Sequence, residues 1–379
     1  MKIIVLGAGM VGKAIAFDLS KNFDVTSADI NKDALDEVAQ YGVKTINADL
    51  SDCNTVKALV KEFDIIVSCV PGFMGYKTVQ EIIEAKKPVV DISFMPEDFM
   101  TLNNLALKSE VPVIADCGVA PGMPNLILGY YNQLMEVTDF FYMVGGLPIA
   151  RNYPFQYKAP FSPVDVLEEY TRPARFKENG KIVVKQAMSD TELYRFEQVG
   201  DLEGFNTDGL RSLLETMEHI PNMKEKTLRY PGHISLIKAL KASGFFSNEP
   251  IAINGKDISP MEMTSKILFN QWKLEANEPE LTVMRIIIKG LLNGEEKVVT
   301  YDLHDEYDPI TKQWSMARTT GYTATAAVNL MAKGLFKKHG VFPLELVGDK
   351  PECFTFVMEY LKERGVVYRL IDCPSTSSG

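Results

Sequence analysis

The sequence predicts an α/β fold, in which a doubly wound parallel sheet is followed by an α+β domain with a mixed or antiparallel sheet. Three observations predict it. Short apolar runs alternate with helix-like segments over residues 1–122, a glycine-rich turn joins the first run to the first helix, and the alternation stops near residue 125. Regular alternation of strand and helix is typical of a parallel sheet covered by helices on both faces.

Six apolar runs predict the strands of the parallel sheet, in the order 2–6, 23–29, 43–50, 64–71, 88–93 and 111–119. The segments between them carry apolar residues at helical spacing and predict the covering helices. Ligands of such a sheet bind beyond the carboxyl ends of its strands. We therefore expect a ligand beside the residues at those ends, namely Asp49, Leu50, Val70, Pro71, Ser93, Val119, Pro121 and Gly122.

The turn GAGMVG, residues 7–12, predicts a dinucleotide site of the Rossmann type. Gly7 permits the tight turn, Gly9 lets a pyrophosphate approach the backbone, and Gly12 lets the helix pack closely on the strand. Met10 and Val11 lie within the turn, where the free N–H groups of the helix N-terminus face the phosphates.

An acidic residue, Asp29, ends the second strand. It can accept hydrogen bonds from the adenosine ribose, and its charge would repel a 2′-phosphate. We therefore expect NAD as the cofactor and NADP as the less favoured one. Lys32, which follows closely, keeps NADP open as an alternative.

Beyond residue 125 the pattern changes to two-sided strands joined by turns. Asn293-Gly294 joins two such runs and predicts a β-hairpin. Helical spacing covers residues 208–217, 232–243, 319–339 and 352–365. The predicted units are a dinucleotide-binding domain at 1–122, a substrate and dimerisation domain at 123–319, and a tail at 373–379.

Composition argues against several classes of function. A net charge of -10 does not suit a general nucleic-acid or anionic-membrane binder, which needs a cationic face. Five scattered cysteines without a CxxC pair indicate reduced thiols in a cytoplasmic protein. No apolar run approaches the ~18 residues that span a bilayer. The histidines lack HxH or HxxxH spacing, so no metal is expected.

Polar residues of the second domain stand in runs otherwise patterned as core. Arg211, Arg229 and Arg318 can each clamp a carboxylate through two N–H donors, or can serve in structural salt bridges. His233 can transfer protons near neutral pH, or can be a core or surface residue.

In the first domain, the segment DCGVAPGMPN, residues 116–125, lies at the end of the last predicted strand. Cys117 is either a nucleophile or a small buried thiol, and the second case is the commoner one. Pro121 and Gly122 turn the chain out of this domain.

Seven segments together resemble a known family: GAGMVG, DISFMPED (91–98), DCGVAPGMPN, VGGLP (144–148), YKAPFSPVDVLEEYTRPAR (157–175), FNTDGLRSLL (205–214) and TLRYPGH (227–233). They are similar to the saccharopine dehydrogenase-like family, and within it most similar to the lysine 6-dehydrogenases. The resemblance extends from Met1 to about Gly365.

The resemblance implies NAD-dependent oxidation of the ε-amino group of L-lysine. The product is an imine, which hydrolyses to 2-aminoadipate 6-semialdehyde and ammonia. The family is oligomeric, commonly dimeric, and its C-terminal segment returns to the nucleotide domain, here over about 320–372. Two rival interpretations stay open: a saccharopine or carboxynorspermidine dehydrogenase, and a non-catalytic NAD-binding protein.

Motif by motif, the resemblance implies that Thr227, Leu228, Arg229 and Tyr230 belong to the substrate site. It also implies that the loop from Val119 to Pro121 lies beside the nicotinamide. Ala120 stands where the saccharopine reductases carry an aspartate that contacts substrate, which favours a smaller substrate.

Oxidation of an amine needs a general base, because a lysine ε-amine with a pKa near ~10.4 arrives charged at neutral pH. The candidates are His233 and Lys158, with Asp116 behind them. Arg229 is expected to hold the α-carboxylate of the substrate. Glu203 or Asp208 is expected to pair with its α-ammonium group.

Overall fold

The computed structural model describes residues 1–159 and 163–371. Its first part alternates strand and helix as the sequence predicts. The strands are β1 (Lys2–Leu6), β2 (Asp24–Asp29), β3 (Lys44–Asn47), β4 (Ile65–Ser68), β5 (Val89–Asp91) and β6 (Pro112–Ile114). The helices are α1 (Met10–Ser20), α2 (Lys32–Ala39), α3 (Cys53–Leu59), α4 (Gly72–Glu84) and α5 (Asn103–Ser109), with short 3₁₀ turns at Val60–Glu62 and Phe99–Leu102.

The second part is an α+β region. Its strands are β7 (Glu136–Pro148), β8 (Ala174–Glu178), β9 (Lys181–Lys185), β10 (Glu192–Phe196), β11 (Gly200–Asn206), β12 (Asn222–Arg229), β13 (Ile251–Ile253), β14 (Lys256–Ile258), β15 (Glu280–Leu292) and β16 (Glu295–Glu306). Its helices are α6 (Met123–Asn132), α7 (Pro163–Thr171), α8 (Leu213–Thr216), α9 (His233–Ala242) and α10 (Pro260–Trp272).

A C-terminal segment returns across both parts. It contains α11 (Ser315–Ala332), β17 (Gly340–Phe342), α12 (Leu344–Gly348), α13 (Pro351–Glu363) and β18 (Tyr368–Ile371). Strand β17 joins the first sheet beside β6, whereas β18 pairs with β16 in the second sheet. The segment therefore contributes a strand to each sheet, whereas the resemblance implies that it completes the first domain.

Two large sheets define the architecture of the described residues. The first sheet is parallel, in the order β17-β6-β5-β4-β1-β2-β3, and it is wound in both directions from β1 and β4. The second runs β10-β11-β12-β7-β15-β16-β18 and is mixed, because β12 and β7 are parallel while their other neighbours are antiparallel. The predicted fold class is confirmed, and Asn293-Gly294 forms the expected hairpin turn between β15 and β16.

Some elements are shorter than their apolar patterns predict, and backbone conformation explains two of them. Strand β6 ends at Ile114 because Asp116 takes a left-handed conformation, with φ of 51°. The helix predicted over 208–217 is reduced to Leu213–Thr216, because Arg211 has φ of 46°. Residues with positive φ interrupt both regular strands and regular helices.

Helix α11 packs against α1 and connects the returning segment to the first domain. At this contact Asp18 of α1 is fully buried and accepts hydrogen bonds from Thr325 Oγ1 (2.8 Å), the Tyr360 hydroxyl (2.7 Å) and Arg364 Nε (2.8 Å). Burial acts to raise the pKa of Asp18, but the bonds from Arg364 and Tyr360 hold that pKa below its ordinary value. Asp18 is therefore charged at neutral pH.

Within the described part of the chain, every helix is too short or too polar to cross a lipid bilayer.

Replacing Arg364 by alanine is expected to lower the free energy of unfolding by about 3 kcal/mol at pH 7, because a buried carboxylate loses its buried cation and keeps only the half-exposed Lys21 at 3.3 Å. A depressed carboxyl pKa contributes stability at neutral pH that disappears as pH falls through the folded-state pKa. Because the pKa of Asp18 in the folded protein lies below 3.8, the effect of Arg364→Ala in urea unfolding should be smaller at a pH well below 3.8 than at pH 7.

Arg195→Ala is the matched control, because Arg195 forms an exposed ion pair with Asp201. Surface pairs of this kind contribute about 0–1 kcal/mol. Equal losses in the two variants would contradict the role assigned to the Asp18 cluster.

Candidate active site

A cavity of about 690 Å³ lies at the carboxyl ends of the parallel strands, between the two sheets. The first domain lines it with twelve of the residues that the sequence places at a cofactor: Gly7, Gly9, Met10, Val11, Gly12, Asp29, Asp49, Leu50, Val70, Pro71, Ser93 and Val119. The second domain contributes Val144, Gly145, Gly146, Glu169, Thr227 and Arg229, and helix α11 contributes Met316 and Thr320. Strand ends far apart in the chain thus meet at one cleft.

The glycine turn has the shape that a pyrophosphate needs. A Cβ atom at Gly12 would lie 2.0 Å from the carbonyl oxygen of Gly7, so the first helix packs against the turn only because Gly12 has no side chain. A Cβ at Gly9 would have no atom within 4 Å, so the backbone there is open to the cavity. The first turn of α1 presents N–H groups without intrahelical partners. These features fit the diphosphate of a dinucleotide.

Two carboxylates lie beside this turn. Asp29 accepts hydrogen bonds from the backbone N–H groups of Ala8 (2.7 Å) and Asn31 (2.8 Å), which fixes its side chain at the end of β2. Asp49 accepts from the hydroxyl and the backbone N–H of Ser51, and these bonds lower its pKa. The region that suits an adenosine ribose therefore carries negative charge.

Alternation along β12 decides which side chains reach the cavity. Glu225, Thr227 and Arg229 point to the same face, because successive side chains of a strand point to opposite faces. Leu228 points the other way into an apolar cluster, so it does not line the cavity as the motif implies. Tyr230 also lies outside the lining, and its hydroxyl donates to the carbonyl of Pro148 (2.9 Å). Of the four motif residues, the cavity receives Thr227 and Arg229.

Arg229 is 1% exposed and sits among aromatic rings and an acid. Its Nη2 lies 2.8 Å from Glu169 Oε2, its Nε 3.0 Å from the Tyr170 hydroxyl, and its Nη1 3.0 Å from the Leu228 carbonyl. Its guanidinium carbon lies 4.5 Å from the ring centroid of Tyr157. These bonds use three of the five N–H groups of an arginine, so two N–H groups are left for an anion.

A smaller cavity of about 70 Å³ adjoins the main one and shares Phe94, Ala120, Val144, Glu169 and Thr227 with it. Its further lining includes Pro121, Tyr142, Arg172, Thr207, Asp208, Gly209 and Glu225. Pro121 thus faces the smaller cavity, and Gly122 lies outside both linings. Glu225 is 4% exposed, and burial raises its pKa to about 8 even though the Thr207 hydroxyl donates to it.

His233 is placed behind the site and not in it. It is 1% exposed, with Nε2 2.9 Å from the Tyr170 oxygen and Nδ1 2.9 Å from the Phe155 carbonyl. Burial lowers the pKa of His233 to about 3, and the charge of Arg229 acts in the same direction. His233 lies outside both linings and contacts Tyr170, which in turn contacts Arg229, so the position of His233 adds no support to the predicted role as general base.

Asp116 and Arg211 are engaged with each other. Arg211 Nε lies 2.5 Å from Asp116 Oδ2, and Arg211 Nη2 donates to the carbonyl of Met95 (2.9 Å). The guanidinium carbon of Arg211 lies 4.3 Å from the ring centroid of Phe94, which does line the cavity. Burial raises the pKa of Asp116, although Arg211 opposes this. The pair joins the two domains and lies outside both cavity linings, so the geometry adds no support to the predicted roles of Asp116 and Arg211.

Lys158 also lies outside the cavity linings. Its Nζ donates to the carbonyl of Lys273 (2.8 Å) and lies 3.8 Å from Glu278 Oε2. Glu203, a candidate partner of the substrate α-ammonium group, also lies outside both linings and accepts a hydrogen bond from the backbone N–H of Gly232 (3.3 Å). Arg318 ion-pairs with Asp305 at 3.4 Å. These three side chains make structural contacts with other parts of the chain, and the residue type alone does not predict such contacts.

Cys117 is fully buried and its Sγ contacts the carbonyl of Thr323. Burial raises its pKa, with Asp91 and Asp116 adding to the effect, so the thiol stays protonated. The described cysteines, Cys53, Cys69, Cys117 and Cys353, are free thiols. In residues 1–159 and 163–371, no group of three or more His, Cys, Asp and Glu side chains is arranged to hold a metal ion.

Five residues of the cavity linings are not among the site residues that the sequence predicts: Glu169, Thr207, Glu225, Met316 and Thr320. Period-two alternation within NMKEKTLR could have found Glu225, because it lies two residues before Thr227 and four before Arg229. No comparable signal marks Glu169 or Thr207, which reach the site from a separate helix and loop.

A parallel sheet with a glycine turn, a helix N-terminus and an acid at the end of β2 defines the class of dinucleotide-binding α/β proteins. Comparison with protein families is more specific. Residues 3–114 match the saccharopine dehydrogenase NADP binding domain, and residues 118–366 match the saccharopine dehydrogenase C-terminal domain. The chain belongs to the saccharopine dehydrogenase family.

Individual relatives are distant. Alpha-aminoadipic semialdehyde synthase of Arabidopsis thaliana is 26% identical over 62% of this chain and 24% of that protein. Saccharopine dehydrogenase [NADP(+), L-glutamate-forming] of Saccharomyces cerevisiae is 24% identical over 70% of this chain and 63% of that protein. Carboxyaminopropylagmatine dehydrogenase of Synechocystis sp. is 21% identical over 92% of this chain and 94% of that protein.

The chain spans between 24% and 63% of the lengths of the first three curated relatives that it matches. Among solved structures, apo saccharopine dehydrogenase (L-Glu forming) from Saccharomyces cerevisiae superimposes with a TM-score of 0.80 at 20% identity. The superposition covers 98% of this chain and 100% of that chain, which shows a shared fold.

Gly9→Ala should leave the fold intact and weaken dinucleotide binding. The φ of Gly9 is -65°, which any residue adopts, and a poorer N-cap costs about 1 kcal/mol. A methyl group in the open space before α1 should raise the Kd for NAD at least about tenfold, or ~1.4 kcal/mol. Calorimetric titration measures the Kd, and thermal unfolding checks the fold. An unchanged Kd would mean that the diphosphate does not bind at this turn.

Proposed function

We propose that this chain is a nicotinamide-dependent dehydrogenase that oxidises the ε-amino group of L-lysine, giving 2-aminoadipate 6-semialdehyde and ammonia. One observation carries the proposal. A single cavity connects the glycine turn to the face of β12 that bears Thr227 and Arg229. A cofactor cradle and an arginine suited to a carboxylate therefore open onto the same space. The names of the curated relatives, which are dehydrogenases or a synthase of an aminoadipic semialdehyde, support the reaction class.

Charge and size favour lysine over a larger, more acidic substrate. The smaller cavity has a volume of about 70 Å³ and is lined by three acids, Glu169, Asp208 and Glu225, and by one cation, Arg172. Carboxylates attract an ammonium group and repel further substrate carboxylates. Ala120, which lines both cavities, offers neither a charge nor a hydrogen bond there. A short diamino acid with one carboxylate suits this lining better than saccharopine.

The residues of the chain divide the work between binding and proton handling. A bound nicotinamide supplies the hydride acceptor. Arg229 offers a planar fork of N–H donors to the α-carboxylate, in a buried setting where such bonds are strong. Val119, Val144 and Met316 give the cavity apolar walls that limit water near the reacting carbon. The substrate amine must lose a proton before the nitrogen lone pair can assist oxidation.

For the cofactor we propose NAD over NADP. Asp29 and Asp49 both line the main cavity, and their charges would oppose a 2′-phosphate. The matching family model is described as NADP-binding, so both dinucleotides belong in any test.

A second candidate is a dehydrogenase of a secondary amine, of the saccharopine or carboxynorspermidine type. The alignment with carboxyaminopropylagmatine dehydrogenase over 92% of this chain favours it. Its substrate would need space and charge partners beyond the smaller cavity.

An amine panel tests the proposed function. The purified protein is incubated with NAD or NADP and with lysine, ornithine, saccharopine or carboxynorspermidine, and the reduced cofactor is followed by absorbance. We expect lysine with NAD to give the highest kcat/KM, by at least about tenfold over saccharopine, because of the carboxylates that line the smaller cavity. A preference for saccharopine would favour the second candidate. Reduction with none of the amines would contradict the dehydrogenase proposal.

Arg229→Lys tests the carboxylate clamp. Lysine keeps the charge but loses the fork geometry, so the KM for lysine should rise by about tenfold or more, with a smaller change in kcat. Steady-state kinetics at saturating NAD measures both.

Arg285→Lys is the matched control, because Arg285 forms a two-point ion pair with Asp302 on the β15–β16 hairpin, outside the cavity. It should leave the KM unchanged. Equal KM values for the parent and Arg229→Lys would remove Arg229 from the substrate site.

A further inference from the structure

A short chain of hydrogen bonds leads from the main cavity to a buried acid. Thr227 lines both cavities, and its hydroxyl lies 2.8 Å from the hydroxyl of Thr207. The Thr207 hydroxyl in turn donates to Glu225 Oε2 at 2.5 Å. Thr227 and Glu225 share one face of β12, and Thr207 follows β11, the antiparallel neighbour of β12. Strand geometry therefore holds the three groups in line.

The direction of these bonds follows from the number of protons available. A threonine hydroxyl has one proton to donate, and that of Thr207 is given to the Glu225 carboxylate. The bond between the two threonines must then be donated by Thr227. The oxygen of Thr227 is left as an acceptor toward the cavity. With Glu225 ionised, the chain is therefore arranged to receive a proton from a donor in the cavity.

The surroundings of Glu225 keep its proton affinity high. Burial is the main cause of its raised pKa of about 8, and Glu169 of α7 and Asp208 of the loop after β11 add to it. The Thr207 hydroxyl and the backbone N–H of Gly209, which lies 3.2 Å from Oε2, act in the opposite direction.

Charged and titratable groups face Glu225 from each element packed against it. They are Tyr142 of β7, Glu169 of α7, Arg172 after α7, and Asp208. Glu169 pairs with Arg229 at 2.8 Å, and Asp208 pairs with Arg175 at 2.9 Å. Among the ion pairs formed by the described residues, none includes Glu225. Glu225 thus keeps a carboxylate whose bonds come from a hydroxyl and an amide.

We propose that Thr227, Thr207 and Glu225 form a proton relay that deprotonates the substrate ammonium group. The substrate N–H proton passes to the Thr227 oxygen, the Thr227 proton passes to the Thr207 oxygen, and the Thr207 proton passes to Glu225. One N–H bond is broken and one carboxyl O–H bond is formed, with no change of oxidation state. This inference rests on the proposed amine oxidation. It assigns the general-base role that His233, Lys158 and Asp116 do not fill from their positions.

Glu225→Gln removes the terminal acceptor while keeping the size of the side chain and an oxygen for Thr207 and Gly209. The parent should show a kcat/KM for lysine that rises with pH and levels off above about 8, since the ionised carboxylate is the active form. In Glu225→Gln this limb should disappear, and kcat should fall about 100-fold or more at pH 8. The Kd for NAD should stay within about twofold.

The matched pair Thr207→Val and Thr207→Ser tests the middle of the relay. Valine has a similar shape but no hydroxyl, so kcat should fall about 100-fold, whereas serine should stay within a few-fold of the parent. A merely structural role for the Thr207 methyl group would produce the opposite ranking, and that ranking would overturn the relay.

Infrared titration reads the ionisation of Glu225 without any reaction. The parent minus Glu225→Gln difference spectrum should show a protonated carboxyl band that is lost as pH rises through about 8. Thr207→Val should move this transition to higher pH, because the lost hydrogen bond stabilises the carboxylate. A band already absent at pH 6 would overturn the relay.

The two proposals fail in different ways. A parent protein that oxidises no amine overturns the proposed function and the relay with it. A parent that oxidises lysine, with the same pH limb in Glu225→Gln, overturns the relay alone.

Discussion

The packing of helix α11 against α1 is the constraint on which the cleft depends. The chain leaves the first sheet after β6, builds the second sheet, and returns through α11, so this contact holds the returning segment against the first domain. Close approach is possible because Gly321 faces Ile15, where an added Cβ would lie 3.2 Å away. The buried charge of Asp18 is satisfied by groups from the returning segment, so the contact also has a defined register. Met316 and Thr320 reach the cavity because α11 is held there.

One face of β12 determines which polar groups the second domain presents to the cleft. Parallel pairing with β7 sets Thr227 beside Val144 and Glu225 beside Tyr142. The opposite face of β12 packs Leu228 into an apolar cluster, and this packing fixes the register of the strand. A shift by one residue would turn Lys226 toward the cavity in place of Glu225. A hydroxyl, a carboxylate and a guanidinium are therefore presented in a row along a rigid strand.

The buried charged groups around the cleft are stabilised in different ways. This difference distinguishes side chains that hold the structure together from side chains that can transfer a proton. Arg211 and Asp116 neutralise each other behind the cavity, and Arg229 is paired with Glu169 at its edge. A cation beside a desolvated acid opposes the rise in pKa that burial causes, whereas a desolvated acid held only by neutral donors lacks that opposing effect. Glu225 is of the second kind, with a pKa of about 8. A group with such a pKa can both accept and return a proton under physiological conditions.

The sequence by itself determined the parallel sheet, the glycine turn, Asp29, the hairpin at Asn293-Gly294 and the family, because these depend on local periodicity and on residues adjacent in the chain. It also placed the ends of the strands at the cavity, since the carboxyl ends of parallel strands meet at one edge. It could not show that His233 and Lys158 turn away from the cavity, that Arg211 is bound by Asp116, or that Thr207 joins Thr227 to Glu225. Only the tertiary structure decided those points, because each depends on contacts between elements distant in sequence, where burial and the nearest partner set the charge and role of a side chain.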